Sequence, residues 1–255
     1  MMASLPTIAF VGLVSGSVMG ISAAGWGAVS VPLLILVGVE PLTAISSSLA
    51  ASIFLSLFGG MAHWRYDRSR VAPLVPLLVG GVGGAFVGSF LSPALPAVTL
   101  RLLIGVTTLI IGFLMLLRRN GVSVQNGAHE PVKWHERRAT IFGIGLVAGL
   151  SAGAFGAGWG TIGVALLVWT GIPPHTVVGS SLLARSLVAA AATGSYTLQG
   201  GALSLSVLLP LLLAGGAGVY LGVRMSNGFS VIGMRKFLGS VVTIVGILTV
   251  VSTSW

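Results

Sequence analysis

The sequence predicts an all-α, polytopic membrane protein made of two inverted repeats, each a glycine-broken helical hairpin followed by three transmembrane helices. Three observations carry this expectation. Apolar runs of about span length fill the chain, the two halves repeat one another, and the basic clusters shift by one loop between them. Of the 255 residues 55% are hydrophobic and only 7% charged, against roughly 25% charged in a soluble domain. So few polar groups cannot cover a soluble surface of this size, so lipid must cover it instead.

The apolar runs cover 6–38, 42–63, 71–90 and 98–117, then 139–171, 175–197, 203–223 and 237–253, delimited by Pro, Gly clusters or charge. Most are about 20 residues long, enough to cross a ~30 Å hydrocarbon core at 1.5 Å per residue. Runs 6–38 and 139–171 are exceptions: as single helices each would be ~50 Å long. Their middles carry Gly20–Gly27 and Gly153–Gly160, poor helix interiors. Each is therefore expected to break into two shorter helices, which either span twice or enter and leave on one side. The opening MMASLPTIAFVGLVSG lacks the positive n-region of a signal peptide and is expected to stay in place as part of a span. The only long polar stretch, 118–138, divides the chain. The expected organisation is a first membrane repeat over 1–117, a cytoplasmic linker over 118–138 and a second repeat over 139–255.

The halves align without a gap. Gly12–Leu49 matches Gly145–Leu182 at an offset of 133 (145 − 12), with 18 of 38 positions identical; chance would give roughly four in so Gly- and Leu-rich a chain. GLVSGSVMGISAAGWG in the first half answers GLVAGLSAGAFGAGWG in the second. Later positions align at offset 134: Pro76 with Pro210, Arg101 with Arg235 and Gly105 with Gly239.

Charge sets the expected orientation. The loop RYDRSR (Arg65–Arg70) and the Arg-rich linker are separated by two spans, and both are expected in the cytoplasm. In the second half the corresponding loop, Leu198–Ser204, has no charge, and the basic residues Arg224, Arg235 and Lys236 lie one loop later. Both halves obey the positive-inside rule only if they have opposite orientations, the pattern of inverted repeats in secondary transporters.

Composition also excludes several functions. The formal net charge is +9, but the cations sit in short clusters between apolar runs rather than on a soluble stripe, so no nucleic-acid partner is expected. The absence of Cys removes disulfides, thiolate metal sites and Cys nucleophiles. There is no HExxH, the four His have no metal spacing, and no acid lies inside a run to act as a general base. The chain is therefore not expected to be an enzyme or to hold a cofactor.

The paired Gly-xxx-Gly segments ending in GWG, each followed by Pro and then SSL (Ser47–Leu49 and Ser180–Leu182), resemble the sulfite exporter TauE/SafE family of bacterial membrane proteins. The resemblance covers essentially the whole chain, including the duplicated halves and the polar linker. It implies a multi-pass transporter in the cell inner membrane that moves a sulfur-containing anion of the sulfite, sulfonate or sulfoacetate type. The implied partners are a small anionic substrate, the lipid bilayer and a coupling ion, proton or sodium. A passive anion channel and a carrier of non-sulfur carboxylates stay open as alternatives.

Candidate site residues come from the residues themselves. Arg185 lies mid-run, where an ionised side chain costs at least ~2.5–3.5 kcal/mol on insertion scales. Its planar fork of donors suits a sulfonate or carboxylate, and Ser181 precedes it by one helical turn; the aligned position in the first half is Ser52, so the site is expected to be asymmetric. A structural ion pair is the alternative, with Glu40, at the mouth of a run, as its only plausible acid. A broken helix at mid-membrane offers N–H groups and a positive dipole end to an anion. Gly25, Trp26 and Gly27 with Gly158, Trp159 and Gly160 would then line the site from both halves; close helix packing is the competing use. For Gly12, Gly16 and Gly20 packing is the expectation. Ser47, Ser48, Ser180 and Ser181 can donate to substrate oxygens or bond to their own helix carbonyls. Thr43 and Thr176 suit helix N-caps, and His63 and His175 suit the membrane interface, with a proton relay as the other possibility.

Overall fold

The computed structural model describes residues 4–22, 25–64, 74–117, 137–163, 166–167, 174–200, 203–226 and 231–253. Among them every regular element is helical. In chain order these are α1 (Leu5–Ser22), α2 (Trp26–Leu36), α3 (Pro41–Trp64), α4 (Leu74–Leu91), α5 (Ala97–Leu117) and α6 (Arg138–Phe155). A π-helical turn, Trp159–Gly163, follows, and then α7 (Pro174–Leu198), α8 (Leu205–Ser226) and α9 (Val231–Ser252). The loop 65–70, the linker 118–136 and the side chains of His63, His175, Thr176, Ser180 and Arg235 lie outside the described residues.

Four of the helices are long and apolar enough to cross a bilayer, within Pro41–Phe58, Ala97–Leu117, Arg138–Phe155 and Leu205–Met225. Shorter apolar helices accompany them at Leu5–Ile21, Trp26–Leu36, Val75–Leu91 and Lys236–Ser252. The polarity runs inside out relative to a soluble fold. Phe58, Leu114 and Leu213 are exposed, whereas Ser15, Ser30, Ser47, Ser48, Ser52 and Ser56 are buried. Lipid-facing apolar side chains and inward hydroxyls are what a bilayer solvent selects.

The long runs divide where glycine permits it. Run 6–38 becomes α1 and α2, with Gly25 at φ 87° between them. In run 139–171, α6 ends at Gly156 (φ 68°) and Gly158 (φ 112°) precedes the π-turn. A side chain at these positive φ values is strained, and glycine is not. Pro41 opens α3 at the first helical position, where its missing N–H removes nothing. The cap position is accordingly Glu40, whose carbonyl accepts from the Ala44 N–H. Thr43 is therefore not an N-cap: it lies inside the first turn and donates its hydroxyl to the Glu40 carboxylate at 3.2 Å.

Packing interleaves the two halves of the sequence. The most extensive interhelical contacts join α4 to α6 and α1 to α8. On α1, the missing side chains of Gly12, Gly16 and Gly20 face the α8 backbone at Leu211, Gly215 and Val219. On α6, Gly145, Gly149 and Gly153 face the α4 backbone at Leu77, Gly81 and Ala85. These two seams are the same seam under the sequence offsets, and each brings its helices together in parallel. Helix propensity is sacrificed at those glycines, and backbone-to-backbone packing offsets it. The pair α5–α9 has the opposite sense. Gly105 lies against Val250, Gly112 against Thr243 and Gly239 against Leu116, so residue numbers fall along α9 as they rise along α5. Helices α3 and α7 pack on each other, and each also packs on the fourth helix of one half, α3 on α8 and α7 on α4.

Candidate functional site: a cavity at the second glycine break

The breaks turn the chain back on itself. A Cβ on Gly25 would lie 3.3 Å from Val18 Cγ1, and one on Gly158 would strike the Ser151 side chain, each seven residues earlier (25 − 18, 158 − 151). Seven residues of continuous helix rise ~10 Å, so these contacts require a reversal. The reversals meet: a Cβ on Gly27 would strike the Gly156 carbonyl. Two indoles fix them in place. Trp26 Nε1 donates to the Ser48 carbonyl at 3.0 Å, and Trp159 Nε1 donates to the Ser181 carbonyl at 2.9 Å. The first ring lies on Gly215 and the second on Gly81, each filling the space a side chain would need. Ser151 Oγ donates to the Ala157 carbonyl at 2.9 Å, taking up one acceptor that the break leaves free.

A small cavity opens beside the second break. Gly156, Ala157, Gly158 and Trp159 form one wall, Arg185, Val188 and Ala189 of α7 another, and Leu49 and Ser52 of α3 a third. It has room for about one water. Arg185 is 7% exposed and, among the described residues, makes neither a hydrogen bond nor an ion pair. Glu40 is exposed at the start of α3 and engaged by Thr43. The structural pair of Arg185 with Glu40 is therefore not formed. A cation buried without an acid is electrostatically unfavourable unless something else supplies the negative charge.

The match to known proteins is consistent along the chain. The family model for the sulfite exporter TauE/SafE matches residues 8–249, from the first turn of α1 almost to the end of α9. The chain belongs to the sulfite exporter TauE/SafE family. Its relatives include "Probable membrane transporter protein YtnM" of Bacillus subtilis, 26% identical over 78% of this chain and 66% of that protein. "Probable membrane transporter protein YjnA" of the same organism is 22% identical over 94% of this chain and 98% of its own length. A "Probable membrane transporter protein" of Xylella fastidiosa is 28% identical over 98% of this chain and 95% of its own. No solved structure matches the chain significantly. This TauE/SafE protein is a multi-pass membrane transport protein and not an enzyme.

Within this TauE/SafE chain the predicted site residues do not all converge. Gly158, Trp159 and Arg185 line the cavity together. Ser181 is buried one turn before Arg185, and its carbonyl holds Trp159. Gly160 sits half-buried in the π-turn. Gly25, Trp26 and Gly27 form the first break, with Trp26 fully buried. Ser48 Oγ shares a 2.6 Å hydrogen bond with Ser30 Oγ, while Ser47 Oγ is buried with no partner.

Leu49, Gly156 and Val188 were not singled out from the sequence, and Ser52 was read only as the counterpart of Arg185, not as a site residue. For Ser52 a signal existed, because it aligns with Arg185 at offset 133 (185 − 52), and the fold brings both to one cavity. The sequence also gave no hint of a polar cluster where α4 meets α7. There Ser89 Oγ donates to Ser195 Oγ at 2.6 Å, Gln199 Nε2 reaches the Ser89 and Ser195 carbonyls, and Tyr196 OH donates to the Gly153 carbonyl at 2.7 Å. Ser92 Oγ donates to the Ala154 carbonyl beside them. These bonds tie α4, α6 and α7 at one end of the bundle.

Proposed function

We propose that this TauE/SafE protein is a secondary transporter that carries a small sulfur-containing anion, of the sulfite, sulfonate or sulfoacetate type, across the bacterial inner membrane, with Arg185 as the ligand of its anionic head. One observation carries this reading: Arg185 is buried beside the second glycine break with no counter-charge among the described residues. Its guanidinium can give two parallel N–H donors to two oxygens of a sulfonate or sulfite. A cavity with room for about one water is smaller than such an anion, which suits a carrier that opens to load and closes around its cargo.

The reading includes an inverted pair of repeats, residues 1–117 and 139–255, joined by a cytoplasmic linker over 118–138. Two observations support it. The α1–α8 and α4–α6 seams are counterparts under the repeat, and the equivalent helices α5 and α9 run antiparallel. An axis that exchanges antiparallel membrane-spanning helices lies in the membrane plane. The coupling ion is a proton or sodium. Purified protein in liposomes tests the function through flux of radiolabelled sulfite, sulfonates and sulfoacetate. Saturable flux, accelerated by an imposed proton or sodium gradient, is expected. Flux no faster than in protein-free liposomes for all these anions would overturn the substrate class, and unsaturable ohmic current would overturn the carrier.

A further inference from the structure

We propose that the Arg185 cavity selects its cargo by charge state: it accepts a singly charged anion and rejects a doubly charged one, which among the proposed cargoes keeps monoanionic sulfite and monosulfonates and excludes sulfoacetate, a dianion at neutral pH. The inference rests on the reading of Arg185 as the anion ligand and adds a rule that reading does not contain.

The rule follows from what surrounds the cavity. Among the described residues Arg185 is the only ionisable side chain on its lining; Leu49, Ala152, Val188 and Ala189 are apolar, and Ser52 is neutral. The described side chains of the surrounding helices add nothing close. The described parts of α3 and α4 have no ionisable side chain, and α6 has only Arg138, at the end far from the cavity. On the described part of α7 the other ionisable side chain, Tyr196, is committed to the Gly153 carbonyl. Glu40 is exposed, before the first turn of α3. The site thus holds one positive charge. A monoanion neutralises it, and the loaded cavity is neutral in an apolar surrounding. A dianion leaves one negative charge uncompensated. An uncompensated charge in the membrane interior disfavours occupancy by roughly a hundredfold. The hydroxyl of Ser52 is already donated to the Leu49 carbonyl at 2.8 Å, so it turns lone pairs rather than a proton toward the cavity, and an extra negative charge gains nothing from it.

Sulfite distinguishes the two forms within one compound, because it is a monoanion in mild acid and a dianion in mild alkali, whereas an alkanesulfonate is a monoanion throughout and sulfate a dianion throughout. The experiment is flux into liposomes containing the full-length protein, with membrane potential clamped and internal pH fixed, while external pH is varied. Methanesulfonate flux should stay flat with pH. Sulfite flux at constant total concentration should fall with rising pH in proportion to the monoanion, and sulfate should be carried at least tenfold more slowly than methanesulfonate. Sulfite flux that is constant or rises with pH, or sulfate carried as fast as methanesulfonate, would overturn the charge rule. Acetate and succinate, measured in parallel, separate the two claims. Transport of acetate over succinate without any sulfur anion would refute the substrate class and uphold the charge rule. Transport of none of these anions would overturn both. In Arg185→Gln even a bound monoanion is uncompensated, so methanesulfonate flux should fall at least tenfold; methanesulfonate flux equal to the parent's would mean that Arg185 does not set the rule.

Discussion

Replacing Arg185 with Met removes a buried charge while retaining a long, flexible side chain beside Val188 and Ala189. Because Arg185 is 7% exposed and its guanidinium has no partner among the described residues, its removal orphans no described acid. Insertion scales set the unfavourable term for a mid-membrane Arg at about 2.5–3.5 kcal/mol, of which hydration of the cavity, with its room for about one water, would offset part. The substrate-free variant is therefore expected to be as stable as the parent or more stable, by up to about 3 kcal/mol, a rise in Tm of up to roughly 10 °C. Anion affinity should move the other way. Loss of a charge-assisted hydrogen bond of about 1.5–3 kcal/mol corresponds to roughly ten- to hundredfold weaker binding. Arg185→Lys should lie between, since it keeps the charge and loses the planar fork. The assay is a thermal melt of detergent-solubilised protein with and without sulfite or an alkanesulfonate, paired with a binding titration. A substrate-free Tm that drops by several degrees would mean that Arg185 has a structural counter-charge. Affinity within twofold of the parent would remove it as the ligand.

Three further outcomes test the fold and the breaks. Gly16→Leu and Gly149→Leu drive a side chain into the facing backbone at Gly215 and Gly81; each should destabilise the protein by at least about 1–3 kcal/mol, whereas Gly83→Leu and Gly143→Leu, which face open space, should melt like the parent. The chain has no Cys, so introduced pairs report directly on helix direction: Gly105→Cys with Val250→Cys and Leu116→Cys with Gly239→Cys should both cross-link, while Gly105→Cys with Gly239→Cys should not; the reverse pattern would refute the antiparallel α5–α9 contact. Trp159→Phe deletes the 2.9 Å bond to the Ser181 carbonyl and should lower stability by about 1–3 kcal/mol, as should Trp26→Phe at the matching bond; an unchanged melt would mean that the indole N–H groups do not hold the breaks.

The sequence by itself determined the helical membrane class, the places where the long runs break and the duplication. Each is written in local chemistry: a run of apolar residues has one stable form in lipid, a glycine cluster cannot continue a helix at little cost, and identities at a fixed offset need no coordinates. The buried position of Arg185 was equally legible, because a cation in the middle of an apolar run has nowhere polar to go. The partners across space were not legible. That α1 packs on α8 and α4 on α6, rather than each within its own half, depends on which glycine stripes can meet backbone to backbone. A stripe of small residues states that something approaches closely, not what. Thr43 reads as a cap because Thr caps helices, but Pro41 fixed the start of α3 and moved the cap to Glu40. Only the tertiary structure decided that Glu40 stays at the surface, away from Arg185, and that Ser52, 133 residues before Arg185 (185 − 52), shares its cavity. The physical reason is that an isolated charge is a property of one position, whereas its neutrality is a property of everything folded around it.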